Sequence, residues 1–157
     1  MTYHQVSIWT DGAVKPNPGF GGYAALLVYG EHQREISGAE ANTTNQRMEL
    51  MAAVVALETL KRPCEVTLYT DSKYLKLGIT EWIKKWKRNG WMTSTKQPVE
   101  HRDLWERLDR QVQRHLQVTW KWTKGHAGNE NNERVDKLAV EARKQLADVT
   151  MRKVDQP

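Results

Sequence analysis

The 157-residue sequence has one cysteine, no apolar run long enough to cross a membrane, and neither a basic start nor an apolar stretch at residues 1–5. A lone Cys64 excludes an intramolecular disulfide and a cysteine-based zinc site. The missing apolar runs exclude a membrane-spanning helix, and the first residues show no signal peptide. These absences predict a reduced, cytoplasmic protein without membrane contact, and nothing in the sequence indicates more than a monomer.

Global disorder is also excluded, because 39% of the residues are hydrophobic and 27% are charged. The length suits one domain. We predict a single domain over residues 1–157, with its core at about residues 3–146 and a loose tail at residues 148–157.

The net charge of +5 is unevenly distributed along the chain. Residues 1–60 have 3 basic and 6 acidic side chains, whereas residues 61–125 have 15 basic and 7 acidic ones. The positive charge is densest at residues 84–88, between Trp82 and Trp91. Basic residues interleaved with large aromatics are typical of a surface that binds a polyanion with stackable bases. The alternative is a solvated helix face with its tryptophans in the core.

Hydrophobic periodicity predicts an α/β fold with five strands and several helices. The strands are expected at residues 5–10, 23–29, 33–39, 65–70 and 117–122, and the helices at 47–60, 74–89, 103–115 and 132–146. Thr43 and Gln46 have the spacing of a capping box, and Gly78 is expected to bend or break its helix. Short connections and a buried crossover helix predict a mixed sheet. Strands 1–3 would be antiparallel, strands 4 and 5 parallel to strand 1, and helices would cover both faces.

Four carboxylates stand out against this pattern. Asp11 and Asp71 each follow a β-rich run, so parallel strands would bring them to the same edge of the sheet. Glu49 interrupts an otherwise apolar helix, and Asp136 lies on the last helix. Such a cluster would repel itself unless a hard cation such as Mg²⁺ bound it. Three of the acids also have a simpler interpretation: Asp11 and Asp71 as caps, and Asp136 as a surface residue.

His126, between two glycines, is either a plain loop residue or a proton carrier, since its ordinary pKa suits exchange at neutral pH.

An ordered set of motifs resembles the bacterial type 1 ribonucleases H from about residue 3 to residue 146. The set includes Thr10-Asp11-Gly12, Asn17-Pro18-Gly19, Thr43-Thr44-Asn45-Gln46-Arg47-Met48-Glu49-Leu50, Thr70-Asp71-Ser72, Gly78-Ile79-Thr80, Asp103-Leu104-Trp105, Lys124-Gly125-His126-Ala127-Gly128 and Asn132-Glu133-Arg134 with Asp136. Each segment alone is a weak signal, whereas all of them in order are specific.

The resemblance implies a ribonuclease H-like fold and hydrolysis of the RNA strand of an RNA–DNA hybrid. Mg²⁺ or Mn²⁺ would be the cofactor, with two ions in the substrate complex, and the products would carry 5′-phosphate and 3′-hydroxyl ends. Carried over, the metal-binding and catalytic carboxylates are Asp11, Glu49, Asp71 and Asp136. His126 would move protons, and Glu133 would assist nearby.

The resemblance also implies substrate contacts outside the acids. Minor-groove and phosphate contacts are expected at Asn17, Thr44, Asn45, Gln46 and Lys73, and DNA-strand contacts at Trp82, Lys84, Lys85, Lys87 and Arg88. Asn42 and His101 stand where the family often has an arginine and an asparagine, which puts in question the strength of a DNA-phosphate pocket around Thr44.

Two other hypotheses compete with a ribonuclease H. The acid set fits a metal-dependent nuclease of the same fold that cleaves DNA, although Asn17, Asn45 and Gln46 argue against it. A non-catalytic nucleic-acid binding module would explain the basic stretch, but it leaves the complete acid set without a role.

Overall fold

The computed structural model describes residues 4–123 and 129–155, which form a five-stranded sheet with helices on both faces. The strands are β1 (Gln5–Val14), β2 (Gly19–Tyr29), β3 (His32–Thr43), β4 (Glu65–Thr70) and β5 (Gln117–Trp122). The helices are α1 (Asn45–Thr59), α2 (Lys73–Leu77), α3 (Ile83–Arg88), α4 (Arg102–Arg114) and α5 (Glu130–Asp155), with a π-helical turn (Gly78–Trp82) joining α2 to α3.

The strand order is β3-β2-β1-β4-β5, and its pairing confirms the predicted mixed sheet. Strands β1, β2 and β3 are antiparallel neighbours, whereas β4 pairs in parallel with both β1 and β5. Helix α1 makes the crossover that a parallel β1–β4 pair requires. β1 does not end at Thr10 as predicted, because Asp11 to Val14 continue the antiparallel pairing with β2.

The two faces of the sheet hold separate hydrophobic clusters. On one face, Ile8 and Leu68 pack beneath α1, whose Leu50 and Leu57 are fully buried. On the other face, Ala24 and Leu26 pack against Val135 and Ala139 of α5. Each fully buried leucine or isoleucine stabilises the fold by roughly 1.5–3 kcal/mol, so both helices are fixed to the sheet mainly by apolar contacts.

Helix α1 begins one residue later than the capping-box spacing predicts. Thr44 is the N-cap, and its hydroxyl accepts a hydrogen bond from the Arg47 backbone N–H at 3.2 Å. Thr43 cannot take that place because it still belongs to β3, where it pairs with Gly19.

Gly78 does not break its helix but begins the π-helical turn. A Cβ at Gly78 would lie 2.1 Å from the indole ring of Trp105, so only glycine lets this segment pack against that fully buried tryptophan. The rings of Trp86 and Trp105 lie 5.4 Å apart in an edge arrangement. The backbone beneath the basic stretch is therefore fixed by tryptophan packing.

The predicted loose tail is wrong for residues 148–155, because α5 continues to Asp155. No glycine or proline interrupts residues 129–155, and Arg152 and Lys153 in the last turn complement the helix dipole. None of the helices within residues 4–123 and 129–155 is long and apolar enough to span a membrane.

Candidate active site

Asp11 and Asp71 lie at the same edge of the sheet because β1 and β4 run in parallel. In their register Trp9 is level with Tyr69, so the residues two positions further along, Asp11 and Asp71, are level as well. Asp11 still pairs with Ala24 of β2, while Asp71 follows the last residue of β4. The prediction that both carboxylates emerge side by side is confirmed.

Glu49 reaches this edge because α1 packs unusually closely on β1. A Cβ at Gly12 would lie 2.8 Å from the backbone nitrogen of Glu49 and 2.9 Å from the carbonyl carbon of Met48. Only a residue without a side chain allows this approach. Gly12 thus sets how far the helix backbone, and with it the carboxylate of Glu49, lies from Asp11.

The three acids converge on one point. One carboxylate oxygen from each of Asp11, Glu49 and Asp71 lies within 4.8 Å of the others, and all three residues are half-buried. Oxygen donors in this arrangement suit a hard divalent cation such as Mg²⁺ or Mn²⁺. The described residues therefore contain a group able to hold a metal ion where the sequence predicts one.

The electrostatics of the group agree with its geometry. Burial, followed by the charge of Asp71, raises the pKa of Asp11 to about 8. Burial also raises the pKa of Glu49 to about 7, with a smaller contribution in the same direction from Asp71. Carboxylates that resist ionisation at neutral pH need a nearby positive charge, which a bound cation would provide.

Asp136 approaches the group from the other face of the sheet. It is exposed on α5, and both its charge and a contact with the Asp11 carboxyl add to the raised pKa of Asp11. Helix α5 can come this close because residue 22 is a glycine. A Cβ at Gly22 would lie 2.1 Å from the carbonyl oxygen of Ala139. Asp136 is thus a fourth acid beside Asp11, outside the closely spaced group of three.

Ser72 is a site residue that the sequence analysis did not identify. Its hydroxyl accepts a hydrogen bond from the Leu75 backbone N–H at 3.0 Å, capping α2, and a hydrogen bond from Ser72 to Glu49 lowers the pKa of that carboxyl. Ser72 is buried, so both interactions hold it in one orientation. The signal was a serine directly after Asp71, where a strand turns into a helix.

The polar residues predicted to contact the minor groove lie beside the acids. The Asn45 side-chain oxygen accepts from the Val14 N–H at 3.0 Å, and that of Asn17 accepts from the Asn45 N–H at 3.3 Å. These bonds tie the loop after β1 to the start of α1, where Thr44 and Gln46 also lie. The amide N–H₂ groups of Asn17 and Asn45 donate no hydrogen bond within the described residues, so they are available to a substrate.

Lys73 lies at the start of α2, next to Asp71 in sequence. Its ammonium group is 5.4 Å from the centroid of the Trp122 ring, and the Trp122 indole N–H donates to the Asp71 backbone carbonyl at 3.1 Å. The ring is 38% exposed, so it holds a cation at the edge of the site without enclosing it. Sequence analysis missed Trp122, which alternation alone places on a strand face.

The basic stretch forms a separate surface on the π-helical turn and α3. Lys84, Lys85 and Arg88 are exposed, and no ion pair within the described residues uses them. Lys87 differs, because its ammonium lies 3.0 Å from Asp109 of α4. The Trp82 ring lies between those of Tyr74 and Trp86, at 5.8 Å and 6.0 Å. The stretch therefore has exposed cations above packed aromatic rings, and binding of a polyanion there stays a prediction.

The residues around Thr44 form an ion-pair network that the sequence did not reveal. Arg47 binds Glu40 and Asp103, both at 3.1 Å, and its guanidinium lies 3.4 Å from a ring nitrogen of His101. Burial, and then the charge of Arg47, lower the pKa of His101. His101 is thus held as a neutral ring, while Asn42 is exposed on β3.

His126, the predicted proton carrier, lies outside the described residues. Glu133 is exposed in the first turns of α5, one turn before Asp136 on the same helix.

Most of the chain matches proteins that are already known. The family model of RNase H matches residues 3–144. A ribonuclease H from Alcanivorax borkumensis is 58% identical over 134 residues, covering 85% of this chain and 88% of that protein. A ribonuclease H from Aeromonas hydrophila is 53% identical over 148 residues, covering 93% of this chain and 96% of that protein.

The fold has counterparts among solved structures. The crystal structure of LC9-RNase H1, described as a type 1 RNase H with the type 2 active-site motif, superposes with a TM-score of 0.81 at 28% sequence identity. The match covers 92% of this chain and 74% of that one. The predicted ribonuclease H-like fold is confirmed.

Proposed function

The chain belongs to the ribonuclease H family, and on that premise we propose that it is an endonuclease that hydrolyses the RNA strand of RNA–DNA hybrids. The observation that carries the proposal is the convergence of Asp11, Glu49 and Asp71 within 4.8 Å at the edge of the sheet. The products would have 5′-phosphate and 3′-hydroxyl ends.

The acid group fits the divalent cation that this chemistry needs. Its donors are hard carboxylate oxygens. The pKa values of Asp11 and Glu49 are raised, so a bound cation would stabilise their ionised forms. We assign Asp11, Glu49, Asp71 and Asp136 as the residues that hold two Mg²⁺ ions, or Mn²⁺, in the substrate complex. When bound, such ions supply an activated water and stabilise the charge that develops on the cleaved phosphodiester.

The remaining residues of the site have two roles: one orients a carboxylate, and the others assist proton transfer. Ser72 orients the Glu49 carboxylate through its hydrogen bond. His126 is the proposed proton carrier during product departure, with Glu133 nearby on α5. These roles follow from the family resemblance and from the position of each residue in the chain.

Substrate selection is assigned to two surfaces. Beside the acids, the amide groups of Asn17 and Asn45, with Gln46, would contact sugar edges in the minor groove, where the 2′-hydroxyl distinguishes RNA from DNA. Thr44 and Lys73 would contact backbone phosphates. The exposed cations of α3, with the ring of Trp82, would bind the DNA strand; they are Lys84, Lys85, Lys87 and Arg88.

One assay panel tests the proposal and its closest alternative. Labelled RNA–DNA hybrid, double-stranded RNA and double-stranded DNA are incubated with the protein, with and without Mg²⁺. We expect Mg²⁺-dependent cleavage of the RNA strand in the hybrid alone. Equal cleavage of double-stranded DNA would favour the DNA nuclease instead, and binding without any cleavage would favour a non-catalytic module.

The metal assignment is tested by Asp71→Asn. Hybrid cleavage should fall by at least about a hundredfold, because an interaction made at the reacting phosphate is lost. Hybrid binding without metal should persist, since the binding surfaces remain intact. Asp148→Asn, an exposed acid of α5, is the matched control and should leave cleavage unchanged. Activity of Asp71→Asn near the wild-type level would falsify the assignment.

The monomeric state and cytoplasmic location remain predictions from the sequence.

A further inference from the structure

Trp122, the last residue of β5, contacts two residues that follow β4. Its indole N–H donates to the backbone carbonyl of Asp71, and its ring lies beside the ammonium group of Lys73. Asp71 is assigned as a metal ligand, and Lys73 as a phosphate contact. One side chain thus touches two residues that have different roles in the proposed reaction.

The backbone on both sides of Asp71 is held by hydrogen bonds from neighbouring residues. Before Asp71, the Thr70 carbonyl accepts from the Thr123 N–H at 2.8 Å, and the Thr70 hydroxyl accepts from the Ser72 N–H at 3.0 Å. After Asp71, its own carbonyl accepts from the Trp122 indole at 3.1 Å. Fixing both flanking peptide groups fixes the direction of the Cα–Cβ bond that carries the carboxylate.

The strand pairing ends before it reaches Asp71. β4 pairs with β5 as far as Thr70 and Trp122, and with β1 as far as Tyr69. The Asp71 carbonyl lies beyond this pairing, and the side chain of Trp122 supplies its donor. Because a peptide group that only solvent binds can adopt several orientations, the indole restricts the backbone at the point where the acid group begins.

The ring of Trp122 holds a cation that is available to a substrate. Lys73 is exposed, and no ion pair among the described residues involves it. Its ammonium group lies 5.4 Å from the ring centroid, within the range of a cation–π contact. The ring attracts the ammonium group without neutralising it, so its charge remains for a phosphate. The contact also restricts a flexible side chain, which lowers the entropy lost on binding.

We propose that Trp122 is a positioning residue for hybrid cleavage: its indole N–H fixes the backbone of Asp71 for metal binding, and its ring holds the Lys73 ammonium for a phosphate of the substrate. The inference rests on the proposed function, because it places Trp122 in that same site. The two contacts use different parts of one side chain, the nitrogen and the ring face. Substitution can therefore remove them separately, and each should change a different measured quantity.

Trp122→Phe removes the N–H donor and keeps an aromatic ring. Mg²⁺ binding to the substrate-free protein, followed by NMR titration, should weaken about three- to tenfold, the effect of one lost hydrogen bond. At low Mg²⁺ concentration kcat should fall by a similar factor and recover as Mg²⁺ is raised. KM for the hybrid should stay within about twofold, because the ring that holds Lys73 remains.

Trp120→Phe is the matched control, two residues earlier on the same strand. Trp120 packs against the hydrophobic core, and its indole donates no hydrogen bond within the described residues. This variant should lose stability in thermal unfolding but change Mg²⁺ binding less than about twofold. Equal weakening of Mg²⁺ binding by both substitutions would mean that any loss of tryptophan volume in β5 disturbs the site, and would overturn the role of the N–H.

Lys73→Met removes the cation and keeps most of the side chain. KM should rise about three- to tenfold, and the salt dependence of hybrid binding should decrease by about one phosphate contact. Mg²⁺ binding should not weaken, because a positive charge near the acids is removed.

A double-variant cycle tests whether this cation depends on the ring. Trp122→Leu should raise KM about twofold or more in the wild-type background, but have little further effect on KM when it is combined with Lys73→Met. Additive effects on KM would mean that the ring does not hold the ammonium group, and would overturn that part of the proposal.

These measurements separate the inference from the proposed function. If the wild type does not cleave the hybrid, the proposed function fails, and the Mg²⁺ titrations of Trp122→Phe and Trp120→Phe still test the contact to Asp71. If the wild type cleaves the hybrid but the two variants have equal Mg²⁺ binding and equal kcat, the role of Trp122 fails and the proposed function stands.

Discussion

Charge is arranged in opposite ways at the acid cluster and on α3. At the cluster, three carboxylates are half-buried within 4.8 Å of one another, and their positions depend on Gly12 and on the register of two strands. On α3, Lys84, Lys85 and Arg88 are exposed and repeat the same charge along one short helix. Buried charge is expensive and geometrically defined, whereas exposed charge is screened and redundant. Single substitutions should therefore have large effects at the first region and small effects at the second.

The largest expected effect comes from Glu49→Gln. Cleavage should fall by at least about a hundredfold, while the metal-free protein becomes more stable at about pH 8 by roughly 1–3 kcal/mol. The pKa of Glu49 is raised to about 7, so above that pH the wild type carries a buried charge that the glutamine removes.

Urea unfolding with and without Mg²⁺ measures this trade of stability for activity. The gain should shrink when Mg²⁺ is present, because the cation compensates the same charge. Glu141→Gln, an exposed acid of α5, should change neither stability nor activity. A loss of stability in metal-free Glu49→Gln would contradict the account of a repulsive cluster.

Gly12→Ala tests whether the geometry of the cluster depends on close backbone packing. The new Cβ would lie 2.8 Å from the Glu49 nitrogen, so α1 must move away, at a cost of about 1–3 kcal/mol and with a clear loss of kcat. Thermal unfolding and steady-state kinetics measure both effects. Gly30→Ala is the control, since its φ of +56° is strained for alanine but its Cβ meets nothing within 4 Å. It should lose about 1 kcal/mol and keep its kcat.

At the basic surface, the double variant Lys84→Ala, Lys85→Ala should raise KM about three- to tenfold and leave kcat nearly unchanged. It should also reduce the salt dependence of hybrid binding, because the two phosphate contacts that we propose for these lysines would be lost. Lys144→Ala on α5 is the matched control. A large fall in kcat at constant KM would show that these lysines do more than attract substrate.

Lys87→Ala tests whether an ion-paired lysine of α3 contributes less to substrate binding than an unpaired one. Its ammonium lies 3.0 Å from Asp109, so it is less available to a phosphate than that of Lys84, although its side chain is still 44% exposed. We expect a smaller change of KM for Lys87→Ala than for Lys84→Ala in the same assay. The reverse order would mean that the ion pair opens when the hybrid binds.

The smallest expected effect concerns His115, a buried polar side chain whose groups are all paired. Its Nδ1 accepts from the Cys64 N–H at 3.1 Å, and Nε2 lies 3.2 Å from the Leu57 carbonyl. Burial, with the adjacent Arg114 guanidinium, lowers the pKa of His115. The folded state thus holds the ring neutral, while the unfolded chain takes up a proton below about pH 6.5.

As the pH falls from about 7.5 to about 5.5, His115→Asn should therefore become more stable relative to the wild type, because only the wild type must keep this ring neutral. Asp11 and Glu49 titrate over the same interval, but they contribute equally to both proteins. Urea unfolding at several pH values measures this difference. The pKa of His101 is also lowered, but it contributes equally to both proteins. Identical pH slopes would exclude His115 as the titrating group.

Much of the fold and most of the site geometry could be predicted from the sequence because they depend on local signals. Strand alternation, the apolar crossover helix and the aspartates at two strand ends place Asp11 beside Asp71 without any coordinates. Glu49 stood out because carboxylates seldom occur on an apolar helix. The family resemblance supplied the role of Asp136, whose exposure on α5 alone indicates only a surface residue.

The features that were missed all depend on side-chain partners distant in sequence. The Arg47 network joins β3, α1 and α4, and Lys87 is paired with a residue of α4. Neither pairing has a periodic signal. The loose tail was predicted wrongly because α5 beyond Leu146 exposes large apolar side chains such as Met151, so the amphipathic pattern that indicates a helix is weak there.

The four acids come from four segments in chain order: a first strand, the crossover helix, the parallel strand and the last helix. Asp11 is present early in synthesis, whereas Asp136 leaves the ribosome after all five strands of the sheet have been made. A nascent chain can therefore form the three-acid group before it acquires the fourth. If all four acids are needed for cleavage, the enzyme is inactive during translation. It gains activity only when α5 packs on the finished sheet.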